Sequence, residues 1–327
     1  MKTLIKSCIA SALAVIAIAS QPAVVQAQAA YPVKPIRFIL GYAPGGSSDT
    51  VARTFGQKLH ESLGQPVVVD FRPGGNTVIA AEILTRAAPD GHTLLMVLNT
   101  HAIIPLLMKL PYDPIKDFAP VASVGVSPYM LAIHSSLPVS NLKEFIAHAR
   151  ARPGELNYSS SGAGGLGHLS GELFNQLAGV KTQHVPFKGG GPSVIALMSG
   201  EVQMSFIIPI LVVGQIKSGK LKGIAVSGKQ RLAGLPGMPT FAEAGLPQFE
   251  STNWFGVLAP AATPRAIISK MSAELNRIQG LNEVKDKLGA LGIDPLPGTP
   301  EQFAALIKSD TDRFARVVKT AQIKLEQ

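Results

Sequence analysis

A short apolar run, a glycine-rich loop and an amphipathic stretch follow one another repeatedly along this chain, and that repetition limits its fold more than any other feature. Ile36 to Gly41 is apolar and β-branched, Tyr42-Ala43-Pro44-Gly45-Gly46 follows as a loop, and a helix is expected from Ser47 or Ser48 with Asp49 in its first turn. Val51, Phe55, Leu59 and Leu63 recur at every fourth position and form one buried helical stripe. Val67 to Asp70, the loop Phe71-Arg72-Pro73-Gly74-Gly75 and the helical stretch Thr77 to Ala87 repeat the unit. Pro89-Asp90-Gly91 then turns into a strand from Thr93 to Leu98. A βαβαβ series of this kind requires a parallel sheet with right-handed crossovers.

A second series follows. Strands are expected at Met130 to Ile133, Leu156 to Ser159, Thr182 to Val185, Met204 to Ile208 and Gly223 to Val226. Helices are expected at Asn141 to Arg150, Leu169 to Ala178, Pro192 to Ser199 and Ile210 to Ser218, and again in the tail at Pro264 to Ile278, Asn282 to Leu288 and Pro300 to Thr320. Two α/β series and a helical tail in one chain predict an α/β protein of two lobes with a cleft between them. In such sheets ligands bind beyond the carboxyl ends of the strands, the edge that the glycine-rich loops occupy here.

The N-terminus reads as a secretory leader. Lys2 and Lys6 precede an uncharged stretch from Cys8 to Ala19, Pro22 breaks it, and Val25-Gln26-Ala27 offers a cleavage site after residue 27. The stretch is shorter than the ~20 residues that span a bilayer. Cys8 is the single cysteine and would leave with the leader. A disulfide framework and a multi-thiolate metal site are thereby excluded. The most apolar later run, Phe206 to Val213, is short and contains Pro209. Lys+Arg total 30 against 21 Asp+Glu, a formal charge of +9 that is scattered with no cluster of Lys/Arg and aromatics. Nucleic acid is therefore not an expected partner, whereas a mild positive field draws small anions.

Three loops have the chemistry of an anion cradle: Tyr42 to Ser48, Ser159 to His168, and Lys188 to Ser193. Each joins a strand to a helix start, where unpaired N–H groups and the positive dipole end favour a carboxylate or phosphate. Glycine permits close backbone approach, and Ser47, Ser159, Ser160 and Ser161 add hydroxyl donors. The alternative reading of each loop is a tight turn with serine caps. Gly162-Ala163-Gly164-Gly165-Leu166-Gly167 satisfies the spacing of a dinucleotide loop, yet Lys181-Thr182-Gln183-His184-Val185 lacks the carboxylate that a ribose needs, so no nucleotide cofactor is expected. The chain has no G-x-S-x-G elbow, no H-E-x-x-H and no Walker sequence, and its seven His show no metal-ligand spacing. His168 is either an anion donor or a first-turn polar residue, and Lys188 either the cation for a ligand carboxylate or a solvated lysine. Asp49 reads as a helix stabiliser and Trp254 as core. A serine hydrolase built on one of Ser159 to Ser161 with His168 is a rival reading that lacks an orienting acid.

In their order these segments resemble the receptor family of tripartite tricarboxylate transporters, the Bug-type solute-binding proteins. The segments are Tyr42 to Asp49, Pro73-Gly74-Gly75-Asn76, Leu110-Pro111-Tyr112-Asp113-Pro114 with Lys116-Asp117-Phe118, Tyr158 to His168, His184-Val185-Pro186-Phe187-Lys188-Gly189, Leu235-Pro236-Gly237-Met238-Pro239-Thr240 and Trp254-Phe255-Gly256. The resemblance implies a monomeric periplasmic protein of the type II-like Venus flytrap form, each lobe a mostly parallel sheet flanked by helices. It would be no enzyme, would need no metal or cofactor, and would capture a small carboxylate (a di- or tricarboxylate, or an aromatic or apolar one) for membrane transporter subunits. A ligand-loaded sensor that docks on a signalling receptor is the alternative. Carried over, the carboxylate is held partly through ordered waters by the loops containing Gly45, Gly46 and Ser47, and Ser159, Ser161, Gly162 and Ala163. Side chains expected near it are Tyr42, Asn76, Thr77, Asn99, Thr100, His101, His168 and Lys188. The family fold divides the chain into a signal peptide 1–27, a first lobe 31–123 plus 226–327, and a second lobe 124–225. Where many members carry an acidic residue after the strand Phe, this chain has Ile207-Ile208-Pro209. That departure predicts a preference for apolar or aromatic carboxylates over amino-bearing ones.

Overall fold

Residues 31–321 are described in the computed structural model, so the expected leader 1–27 lies outside the described residues. Strand β1 (Ile36–Leu40) is flanked in parallel by β2 (Val67–Phe71) and β3 (Thr93–Leu98), with α1 (Ser47–Leu63) and α2 (Val78–Thr85) as the crossovers. Ile36, Phe38, Ile39 and Leu40 are wholly buried, which is the near-continuous apolar pattern of a strand covered on both faces. Val51, Phe55 and Leu59 are the buried stripe of α1, Leu63 is half-buried, and the helix ends at Gly64 in the left-handed conformation that glycine adopts freely. A short helix α3 (Thr100–Ile103) follows β3 directly.

The sheet is completed by two strands not expected from the residue pattern. β4 (Phe118–Pro128) and, much later, β10 (Thr252–Pro260) make the order β2-β1-β3-β10-β4, with β10 antiparallel to both neighbours. Glycine and proline hide β10 as a strand, because both are depleted in strand interiors. Its Gly256 is needed for packing: a Cβ there would lie 2.0 Å from the Phe303 ring.

The second sheet uses β5 (Met130–His134), β6 (Asn157–Ser160), β7 (Gln183–Pro186), β8 (Met204–Ile207) and β9 (Leu221–Val226), in the order β7-β6-β8-β5-β9. Its helices are α4 (Leu142–Arg150), α5 (Leu166–Ala178), α6 (Gly190–Ser199) and α7 (Val213–Lys217). Here β5 is the antiparallel strand. Each lobe is therefore a mostly parallel five-stranded sheet flanked by helices, with the odd strand in the fourth place. The tail helices are α8 (Arg265–Gly280), α9 (Asn282–Gly289) and α10 (Pro300–Ala321).

The chain leaves the first sheet after Pro128, which still pairs with Thr252, and enters the second at Met130, later than the 123/124 boundary that the resemblance implies. Nor does the first lobe resume at residue 226. Leu232 and Met238 pack with Met130, Val194 and Leu197 of the second lobe, and the tilted rings of Phe241 and Phe249 lie 4.1 Å apart beside Phe174 and Phe206. The two crossings are tied to each other: Tyr129 N–H donates to Ser251 O at 2.9 Å, and Ser227 N–H to Tyr129 O at 2.7 Å.

Candidate functional site

On the first lobe, the loops that leave the carboxyl ends of β1, β2 and β3 come together. Tyr42 donates its hydroxyl to Thr100 Oγ1 at 2.8 Å, and burial pushes the phenol up to about 12, so it stays a neutral hydrogen-bond group at any physiological pH. Asp49 accepts from Gly45 N–H at 3.0 Å and pairs with Arg53. Its carboxylate thus folds the loop back and is not turned toward a ligand. The N-cap of α1 is Gly46, with no side-chain cap. Asn76 and Thr77 both have positive φ, 52° and 76°. For a β-branched residue this is strained backbone, a cost of order 1–3 kcal/mol that concentrates at functional sites.

Asn99 does not reach the cleft. It is fully buried, donates to Asp310 Oδ2 of α10 at 2.6 Å and accepts from Trp254 N–H at 2.9 Å. Trp254 is core, and its indole N–H donates to the same Asp310 oxygen at 2.7 Å. A buried polar network therefore anchors α10 and β10 under α3, which carries Thr100. His101 also turns inward, with Nε2 3.0 Å from Pro114 O, and burial lowers its pKa to about 4.

On the second lobe, β6 runs into the loop 161–165 before α5, and β7 into Lys188-Gly189 before α6. The N-caps of these helices are Gly165 and Gly189, again without a side-chain cap. By contrast α4 and α10, away from this edge, carry reciprocal caps: Glu144 N–H donates to the Asn141 side chain while the Asn141 amide and Ser140 N–H donate to the Glu144 carboxylate, and Thr299 and Gln302 bond each other likewise. Two expected ligand groups lie behind the loop. Ser159 is fully buried and exchanges hydrogen bonds with Ser193. His168 accepts from Gly164 N–H at 3.0 Å and stacks on His184, ring centroids 3.9 Å apart. In this loop the Ser–His contact is between Ser160 and His184, at 2.7 Å, but Ser160 is 1% exposed and also bonds the Gly162 main chain. That is a structural hydroxyl, not a presented nucleophile.

The two sets of loops meet. Ala43 N–H donates to Lys188 O at 3.2 Å, and a Cβ on Gly162, whose φ is +149°, would lie 3.1 Å from Asn76 Oδ1. Between them lie two adjoining cavities that share Tyr42 and Ser161. The larger, of about 230 Å³, is lined by Tyr42, Asn76, Thr77 and Thr100 from one side and by Ser161, Gly162, Ala163 and Lys188 from the other. The smaller, of about 30 Å³, has room for a water or two. It is lined by Gly46, Ser47, Ser48, Gly190 and Ser193, with Leu98, Tyr129, Phe206, Ile207, Ile208 and Leu211 as an apolar wall. Gly45 lines neither; it lies against Gly191 across the cleft. Lys188 is the one cation among the lining residues, and none of them is Asp or Glu. Uncapped helix starts, hydroxyls and one ammonium around an enclosed space suit a small anion. Among the described residues no group of three His, Cys, Asp or Glu is placed to hold a metal, and no helix is long and apolar enough to cross a membrane. Asp310 and His184, which hold the cleft residues from behind, had no spacing signal that singled them out.

The family described as tripartite tricarboxylate transporter family receptor matches residues 51–323. Protein BugT of Bordetella pertussis is 35% identical over 299 residues, 90% of this chain and 92% of that one. An R. palustris protein solved with adipate superposes with a TM-score of 0.87 at 32% identity, covering 90% of this chain and 99% of the other. MatC from Rhodopseudomonas palustris, solved with bound malate, gives 0.83 at 33% identity, with 88% and 100% covered.

Proposed function

The chain belongs to the tripartite tricarboxylate transporter receptor family, a family of periplasmic binding proteins, and from that premise we propose that it is exported by its leader, captures a small carboxylate between its two lobes and delivers it to a membrane transporter. The observation that carries this reading is the lining of the paired cavities: three helix starts capped only by glycine, the hydroxyls of Ser47, Ser161 and Thr100, the Lys188 ammonium, and no carboxylate. The adipate and malate of the solved relatives are ligands of this class. A carboxylate of the ligand would sit against the main chain of residues 46–48 and of Ser161 and Ala163, with water in the smaller cavity completing its shell. The body of the ligand would lie toward Asn76, Thr77 and Lys188.

The apolar wall of Phe206, Ile207, Ile208 and Leu211 offers no partner to an ammonium group. A desolvated charge without a partner is costly, so amino acids are disfavoured relative to apolar, aromatic or simple dicarboxylates. Thermal unfolding of the leaderless protein against mono-, di- and tricarboxylates, aromatic acids and amino acids tests both statements. A ligand at 100 times its Kd adds about 2.7 kcal/mol, which raises Tm by several degrees. A shift confined to carboxylates without an amino group is expected. Tighter binding of aspartate or glutamate would overturn the specificity. No shift with any acid, after refolding to remove retained ligand, would overturn capture itself.

A further inference from the structure

Behind the glycine loop of the second lobe sits a group of side chains that ligand capture leaves unused. His168, on α5, and His184, on β7, stack face to face with an interplanar angle of 8°. Tyr158 packs beside both rings and donates to Glu172 Oε1 at 2.6 Å. Each imidazole is bonded to the loop: Gly164 N–H donates to His168 Nδ1 at 3.0 Å, and His184 Nε2 lies 2.7 Å from Ser160 Oγ.

The hydrogen bonds settle one ring outright: since His168 Nδ1 accepts, its proton is on Nε2. Ser160 has one hydroxyl proton and two acceptors within reach, Gly162 O at 2.9 Å and His184 Nε2 at 2.7 Å, and its oxygen accepts from Gly162 N–H at 3.2 Å. With that proton on Gly162 O, His184 donates to Ser160 and its own proton is also on Nε2. Neither ring is charged near neutral pH: His168 Nδ1 is occupied as an acceptor, and burial disfavours the cation on both. Burial lowers both His, and their mutual repulsion lowers His184 further. The other titratable groups that face them are Tyr158 and Glu172, and Glu172 opposes the shift of His168.

We propose that His168 and His184 are a neutral positioning pair that fixes the main chain of the 160–165 loop, so that its amides are set to receive the ligand carboxylate. The bearing on affinity rests on the capture reading; the loop claim itself does not. The two rings are unequal. A proton added to His184 goes to Nδ1 and leaves the bond to Ser160 intact. A proton added to His168 goes to the atom that accepts from Gly164 and turns that bond into a clash of two N–H groups. His168 is therefore the ring through which acid would loosen the loop.

The test uses the leaderless protein, labelled with ¹⁵N. Long-range imidazole spectra are expected to show both histidines as Nε2–H tautomers at pH 7. Gly164 amide protection is expected to fall at least tenfold at the pH where His168 takes its proton, below the ordinary histidine range. In His168→Asn the side-chain oxygen replaces Nδ1 as acceptor, and in His184→Gln the amide replaces Nε2–H as donor. Both should keep Gly164 and Gly162 protection within about threefold of the parent. His168→Phe keeps the ring and loses the acceptor, and should lose tenfold or more. Affinity for adipate should follow the same order. An Nδ1–H tautomer at His168, or full loop protection in His168→Phe, would overturn the proposal. Failure of the parent to bind adipate or any other acid would instead count against capture, while tautomer and exchange would still decide the loop. Should His168→Phe fail to fold, the pH titration of the parent and the His168→Asn protein carry the same decision.

Discussion

The two lobes share a strand order and differ in what they present. The first offers side chains: Tyr42, Asn76, Thr77 and Thr100, braced by a buried network that reaches Asn99, Trp254 and Asp310. The second offers mostly main chain, the glycine loop 161–165, braced by a stack of rings. A side-chain site is fixed by what its neighbours hydrogen-bond; a main-chain site is fixed by backbone conformation. On the proposed reading the same fold supplies two different means of holding one small ligand, and substitutions on the two sides should fail in different ways.

If the first lobe depends on its buried network, Asp310→Ala should produce the largest loss. Two buried donors, the Asn99 amide and the Trp254 indole, lose their shared acceptor, at about 1–3 kcal/mol each. Urea unfolding should report roughly 3–5 kcal/mol, and a loss below 1 kcal/mol would mean that Asp310 braces nothing. Next is a pH effect on the same lobe. His101 is lowered by burial from 6.5 to about 4, so the unfolded chain takes up a proton first as the pH drops. His101 should contribute nothing to the pH dependence of stability above neutrality and a fall of about 1.4 kcal/mol per pH unit between about 6.5 and 4, on top of the falls that His168 and His184 add. His101→Gln should remove that one share of the slope in matched urea titrations at pH 7.5 and 4.5; a slope unchanged by the substitution would assign the acid sensitivity elsewhere.

On the second lobe Gly162→Ala should act through the backbone. Its φ of +149° excludes other residues, and the new methyl meets Asn76 across the cleft. A stability loss of about 1–3 kcal/mol is expected, together with a loss of adipate affinity measured by calorimetry that Tm alone does not explain. Unchanged affinity would show that loop 161–165 is not a ligand surface. The smallest effect should be Tyr42→Phe, which deletes one hydrogen bond to Thr100, worth about 1 kcal/mol. Adipate affinity should drop several-fold. No change would leave the second lobe as the main holder of the ligand and sharpen the contrast.

The repeating units were legible because they are local. The helix over residues 47–63 shows as a period of four, the loop glycines mark the strand ends, and the strand 93–98 coincides with its expected bounds. Two strands, 118–128 and 252–260, were hidden by Pro120, Gly125, Gly256 and Pro260, which are tolerated because close neighbours need small residues or irregular pairing there. The loops of the site were visible as glycines, but not which hydroxyl faces the cleft. Ser159 and Ser161 look alike in sequence, but the first is still inside β6 and turns into the Ser193 contact, whereas the second lies past the strand end, in the loop. Asn99 looked like a ligand group because it follows a strand end; its partner Asp310 is 211 residues away. His184 carried no periodic signal, since its role is set by a ring on another element.

The order of strands also dictates an order of synthesis. The second sheet is made wholly of residues 130–226, and its aromatic core is complete once Phe249 has emerged. The first sheet cannot close then. Its strand order places β10, residues 252–260, between β3 and β4, so the Leu94–Leu98 edge stays unpaired until late in the chain. A long apolar open edge is a template for wrong pairing. The nascent chain therefore passes through a stage with one finished lobe and one sticky half-sheet, and that half-sheet is the surface a chaperone would have to cover.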